Sequence, residues 1–297
     1  MTFSANGEYL VGGGLADGAG VWRVEDGKQM ATMEARDVWC LAVSQDGRWI
    51  AAGTNDGEVS LWDAKTFEKV FSHKDSYGIP VLADFSPDST RLITASKTTT
   101  VWDVAARKKV FTLNHGSEYW VRAAKYSPQG DRIATAFYKS VRVWDSNDGR
   151  SLLHIPLTVT SYYNTGLLWS NNNNLFVVRD STIKQLEVST GSTVSDFPVP
   201  DSNDLSCVAL PQRGKFIAYS TNDTVTFWDT STHAQFGLIQ HPQRIHSIAL
   251  SPDDRFLAIG GKSGKITIRR ITVSIACLWI MANLNNFLLP LVFSNRI

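Results

Sequence analysis

The chain has 297 residues, 29 basic and 28 acidic, for a formal charge of +1, so no global field draws it to a phosphate backbone or an anionic membrane, and neither nucleic acid nor membrane is an expected partner. Its three cysteines, Cys40, Cys207 and Cys277, are too few for a disulfide framework and sit in no cluster of metal-ligand spacing, so no cofactor or metal is expected. The start MTFSANGEYL lacks the cationic and apolar regions of a signal peptide, which points to a cytoplasmic or nuclear, reducing compartment.

The first apolar segments, around Tyr9 and Val21, alternate with period two and flank GGGLADGAG, Gly12 to Gly20. That run leads into VWRV rather than a helix and carries no following Lys-Ser/Thr, so it reads as a hairpin and not as a phosphate loop. Next come WCLAVS, RWIAAG and EVSLW, three short alternating runs separated by QDG and NDGE, with a further run after KTF. Period-two alternation between Gly, Asn and Asp turns predicts four strands in this unit.

The same unit then recurs. Trp62-Asp63, Trp102-Asp103, Trp144-Asp145 and Trp228-Asp229 are literal copies of one pair, and Trp22-Arg23, Leu186-Glu187 and Arg269-Arg270 hold the equivalent position. The spacing of 40 to 42 residues between neighbouring anchors is the mark of a repeat architecture. A second marker keeps step with it: SQDG, SPDS, SPQG, PQRG and SPDD turns precede the anchors at a fixed distance. Four strands per unit and seven anchors predict an all-β fold, a seven-bladed β-propeller of four-stranded antiparallel blades.

Both ends depart from the pattern. Ser4 aligns with Ser44, so the first blade is expected to be incomplete, lacking most of its innermost strand. After Thr272 the chain becomes VSIACLWIMANLNNFLLPLVFSNRI, which divides it into a propeller, residues 1–272, and an atypical apolar tail, residues 273–297. Pro290 and three Asn interrupt the tail, which weighs against a membrane span. Val273 to Ile280 is a candidate outer strand for the seventh blade, and LVFSN, Leu291 to Asn295, a candidate for the strand missing from the first; the alternative is a terminus foreign to the fold, in a protein that is longer at both ends.

The SPDG-like turns and Trp-Asp pairs resemble those of the WD-repeat family over Met1 to about Thr272. The resemblance implies a buried hydrogen-bond set of Asp, His, Ser/Thr and Trp in each blade, of which only parts carry over: Asp56 with Trp62, Asp180 without its Trp, and His241. It also implies that the loops leading into the first strands lie on one face with the turns between second and third strands, and commonly hold partners. Those lead-in loops contain Trp39, Tyr77, Tyr119, Trp120, Tyr162 and Tyr163, accompanied by Arg36, Arg122 and Arg244, with His246 beyond. Large semi-rigid aromatics beside Arg are the composition of interface hot spots. For any one of these rings, packing between blades is an equal alternative.

No GxSxG, HExxH or paired-carboxylate motif occurs, so the chain is expected to be no enzyme but an interaction scaffold or recognition module for a protein or peptide. The alternatives are a propeller enzyme of lactonase or hydrolase type, for which Asp37, Asp75, Asp204 and His246 are the candidate polar groups, and the sensor portion of a larger multidomain signalling protein. Asn171 to Asn174, at the position of an SPDG turn, predicts a lengthened hairpin.

Overall fold

In the computed structural model, residues 1–14, 18–74, 82–116, 120–157, 166–170, 172–179, 182–198, 205–211, 214–271 and 291–293 are described. They form seven four-stranded antiparallel sheets, each built from four consecutive strands. Numbered in chain order, blade 1 spans residues 2–33, blade 2 residues 38–74, blade 3 residues 82–113, blade 4 residues 123–156, blade 5 residues 166–198, blade 6 residues 205–240 and blade 7 residues 245–293. Blade 2 shows the unit as its sequence predicts, with strands Val38–Val43, Trp49–Thr54, Glu58–Asp63 and Lys69–Lys74.

Two turn devices make the unit. The first joins strands one and two. In blade 2, Ser44 Oγ donates to Asp46 and accepts the Trp49 amide at 2.9 Å, while Gly47 bends the chain at φ 71°. The residue three beyond this Ser position takes positive φ in all seven blades: Gly7, Gly47, Ser89, Gly130, Asn173, Gly214 and Asp254. The signature is therefore a backbone requirement for the left-handed region, met by Gly in four blades and by short polar residues in three. Blade 5 departs from expectation. Its Asn run closes with Ser170 N donating to Asn174 O, whereas Ser44 N in blade 2 donates to Trp49 O, so the hairpin is one residue shorter, not longer.

The second device joins strands three and four, and explains the Trp-Asp pair. The ladder between these strands shifts register immediately before the anchor in blades 1 to 6, for example between Leu61 and Trp62. The following Asp then caps the turn. Asp63 Oδ1 accepts the amides of Lys65 and Thr66, Asp145 that of Asn147, and Asp229 those of Ser231 and Thr232. These bonds from Thr66 and Lys65 hold the Asp63 carboxyl below the usual carboxylate range. Five residues after the anchor the chain again needs positive φ, at Gly27, Phe67, Arg107, Gly149, Gly191 and His233.

The core lies between blades rather than within them. Each anchor faces the preceding blade: Trp62 packs with Val11, Val21 and Met33 of blade 1, Trp102 with Leu61 of blade 2, and Trp144 with Ile93 and Val101 of blade 3. Trp22 packs with Ala258 and Ile268 of blade 7, together with Phe3 and Leu10, which closes the ring. The glycines of the first hairpin serve this packing. A Cβ on Gly20 would collide with the Trp22 ring, and one on Gly12 would lie 3.0 Å from it.

Blade 1 has an innermost strand of only two residues, Thr2–Phe3, paired with Val11 and Leu10, as the alignment of Ser4 anticipates. The tail corrects one expectation. Leu291–Phe293 pairs with Ile266–Ile268 as the outer strand of blade 7, and does not supply the inner strand of blade 1. The inner position in blade 1 is held by Thr2–Phe3, and Pro290 precedes the paired segment, where its missing N–H costs the ladder nothing. Val273 to Ile280 lies outside the described residues.

Candidate partner-binding face

Because the strands alternate in direction, every lead-in loop and every turn between strands two and three emerges at one end of the ring. The Ser and Trp-Asp turns emerge at the other. Trp39 is held out at the first end by a β-bulge: Val38 pairs with Thr54 and Cys40 with Gly53, so Trp39 falls outside the ladder. The bulge breaks the inward-outward alternation and re-aims the side chain, leaving Trp39 59% exposed. The same bulge lies between Ile245 and Ser247, and it presents His246 to solvent.

Trp120 is 48% exposed, beside a buried Val121 whose amide donates to Ser96 O of blade 3. The Arg122 amide donates to Ala136 O, and its guanidinium lies 5.9 Å from the Trp120 ring centroid. The loop is thus pinned by one apolar residue and two backbone bonds, while an aromatic and a cation face outward. Arg36 and Arg244 are exposed at the same end. Tyr77, Tyr119, Tyr162, Tyr163 and Asp180 lie outside the described residues, as do Asp75 and Asp204.

The residues assigned to blade hydrogen-bond sets are placed as follows. Asp56 accepts from Thr54 Oγ1 at 2.5 Å and from Lys74 Nζ at 2.8 Å; the Lys74 and Thr54 bonds hold its carboxyl well down, at about 2. His241 is buried, with Nδ1 2.8 Å from Gln243 O. Trp102 and Trp144 donate their indole N–H to Thr94 and Thr135, both at 2.8 Å, and Trp228 to the Tyr219 hydroxyl at 3.2 Å. In place of a Trp, Arg269 reaches Gln240 O.

Blade 4 contains a set that the sequence reading missed. His115 is buried with its ring centroid 4.8 Å from Phe137 and 5.6 Å from Trp144, next to the Trp144 to Thr135 bond. His, Thr and Trp all stood in one repeat. The signal was obscured because His115 lies twelve residues before its turn Ser127 and His241 ten before Ser251.

Chemistry needs convergent groups, and the two described candidates do not converge. Asp37 is exposed in the lead-in loop of blade 2 at φ 50°, and His246 is on blade 7. Among the described residues no three His, Cys, Asp or Glu side chains are grouped to hold a metal, and no helix is long and apolar enough to cross a membrane. A cleft of about 280 Å³ lies at the opposite end of the ring, lined by Asn6, Gly7, Pro252 and Asp253 among others. At the inner strands, Cys40 and Cys207 are half-buried free thiols, the Ala83 amide donating to Cys40 Sγ at 3.4 Å. Asp84 ties two inner strands, accepting from Lys125 Nζ at 2.7 Å and from the Tyr126 amide at 2.9 Å.

Seven blades, their bulged anchor strands and Ser-capped turns define the class, and comparison with known proteins agrees with it. The family described as WD domain, G-beta repeat matches residues 27–63, 107–145 and 234–269. The chain is a WD-repeat β-propeller. It is 27% identical over 211 residues to WD repeat-containing protein 1 of Gallus gallus, covering 66% of this chain and 34% of that protein. It is 22% identical over 233 residues to the serine-threonine kinase receptor-associated protein of Gallus gallus, covering 77% of this chain and 65% of that one. Its structure superposes on a chain of Kuenenia stuttgartiensis hydrazine synthase with a TM-score of 0.79 at 18% identity, covering 92% of this chain and 95% of that one, a likeness of fold alone. The chain spans about a third of the length of WD repeat-containing protein 1.

Proposed function

We propose that the protein is a non-catalytic recognition module that holds a protein or peptide partner on its lead-in face. The observation that carries this reading is the exposure of Trp39 and Trp120 at one end of a rigid ring, the first by a bulge and the second on a loop fixed by Val121 and Arg122. Exposed Trp on an ordered backbone is costly to solubility and is the side chain most enriched at interface hot spots. Arg122, Arg244 and His246 surround them with donors, and Tyr77, Tyr119, Tyr162 and Tyr163 add aromatic surface to the same loops by sequence. The relative named for association with a receptor kinase supports a binding role. The free thiols Cys40 and Cys207 support a reducing, cytoplasmic or nuclear setting.

The test is partner capture from cell extract by the native protein, Trp39→Ala and Trp120→Ala. Each variant is expected to weaken capture about 30-fold, the effect of losing roughly 2 kcal/mol at a hot spot, with thermal unfolding unchanged. Undiminished capture by both variants would overturn the reading. A second reading makes this propeller the sensor portion of a larger multidomain signalling protein, and the 34% share of WD repeat-containing protein 1 favours it. An immunoblot of native tissue showing a band near 32.9 kDa would count against it.

A further inference from the structure

Lead-in loops and second turns bring four cations of blades 3 to 5 to one corner of the face. Lys97 sits in the blade 3 turn that accepts the Val121 amide at Ser96 O, and Arg122 follows Val121 directly. Lys139 is exposed in the next turn, where its carbonyl accepts the Leu157 amide. Arg179 donates to Phe137 O at 3.0 Å, with its guanidinium 5.3 Å from the centroid of the neighbouring Tyr138 ring. Among the described residues these turns contribute no carboxylate; Glu118 and Asp180 adjoin them in sequence and lie outside the described residues. The exposed Trp120 stands in the middle of this basic surface with Arg122 beside it.

We infer that this corner, centred on Trp120, Arg122 and Lys139, takes an acidic peptide: an apolar side chain laid on the Trp120 ring and flanking carboxylates or phosphates met by Arg122 and Lys139. The inference rests on the partner-binding reading of the face. Charge complementarity selects the partner, because an anionic side chain gains a charge-assisted bond from an Arg fork that a neutral one does not. A single-stranded nucleic acid fits less well. It requires a run of stacking platforms, and the second described ring at this corner, Tyr138, is already engaged by Arg179.

The experiment is selection of a randomised peptide library on the purified full chain, followed by affinity measurement of an enriched peptide against native protein, Arg122→Glu with Lys139→Glu, the milder Arg122→Gln with Lys139→Gln, and Trp39→Ala. Folding of each is checked by its melting curve; both substituted side chains are exposed, so the melts should coincide. The expected result is enrichment of Asp- and Glu-bearing peptides, an affinity loss of tenfold or more, about 1.4 kcal/mol or more, in the Glu variant, a smaller loss in the Gln variant, and weakening in high salt. A phosphoserine version of the enriched peptide separates phosphate from carboxylate preference. Enrichment of neutral or basic peptides, insensitivity to both double variants, or displacement of the peptide by oligouridine would overturn the acidic-peptide assignment. In the first two cases, dependence on Trp39 would leave the partner-binding face standing. Failure to enrich any peptide would overturn both.

Discussion

Single residues in this protein answer to two local demands, positive φ and capping, and each can be tested alone. Arg107 and Gly149 hold the same position after their anchors, at φ 55° and 75°. A Cβ in this region costs about 1–2 kcal/mol, partly offset for Gly by its freer unfolded chain. Arg107→Gly is therefore expected to raise stability by about 0.5 kcal/mol, while Gly149→Ala should lower it by about 1–2 kcal/mol, since its Cβ would also lie 2.9 Å from the Phe111 ring; urea unfolding midpoints check both. Asp56 provides a pH signature. Its folded pKa lies at about 2 against an ordinary 3.8, so its contribution is fully present above about pH 4 and is lost as pH falls from there through 2. Asp56→Asn should be less stable than native at neutral pH, and the two should converge below pH 2 in an acid titration of unfolding. At this scale the sequence was only half legible. The SPDG and Trp-Asp letters mark the turns, but Phe67, Ser89, Asp254 and His233 satisfy the same backbone requirement without the expected letter, and no letter pattern reveals that Trp39 is bulged.

At the scale of the strand and blade, period-two alternation and the 40-to-42-residue spacing were enough to fix strand count, direction and order. What escaped was pairing that depends on long-range competition. Leu291–Phe293 matches an inner strand by letters and pairs as an outer one, because register is set by which neighbour is open, not by composition. His115 was missed for a related reason, two extra residues in its loop. Blade-to-blade ties are likewise invisible in sequence. Asp84 joins blade 3 to blade 4 through Lys125 and the Tyr126 amide, so Asp84→Ala should cost about 1–3 kcal/mol, the penalty for orphaning partly buried donors. Thr135→Val should cost a similar amount by stranding the Trp144 indole. A denaturation series comparing each with the exposed control Asp131→Ala would show whether the cross-blade bonds contribute more than the surface does.

Over the whole molecule the ring acts as a frame that fixes where loops stand. Stability comes from inter-blade packing of the anchors, and recognition surface comes from loops that packing does not use. This separation explains why Trp62 and Trp144 are buried to 1% while Trp39 and Trp120 are 59% and 48% exposed, although all four belong to strands or loops of the same repeats. It also explains why the fold was readable and the partner was not: the repeat records burial, which is shared by every blade, whereas the face is written in residues that differ from blade to blade. The central claim is that the lead-in face, and not the Ser-turn face, meets the partner. Site-specific photocrosslinking in cells tests it directly, with a benzoylphenylalanine placed at Trp39 or Trp120 on one face and at Asp46 or Asp254 on the other. The account predicts a discrete protein adduct from positions 39 and 120 and none from 46 and 254; adducts confined to positions 46 and 254 would contradict it.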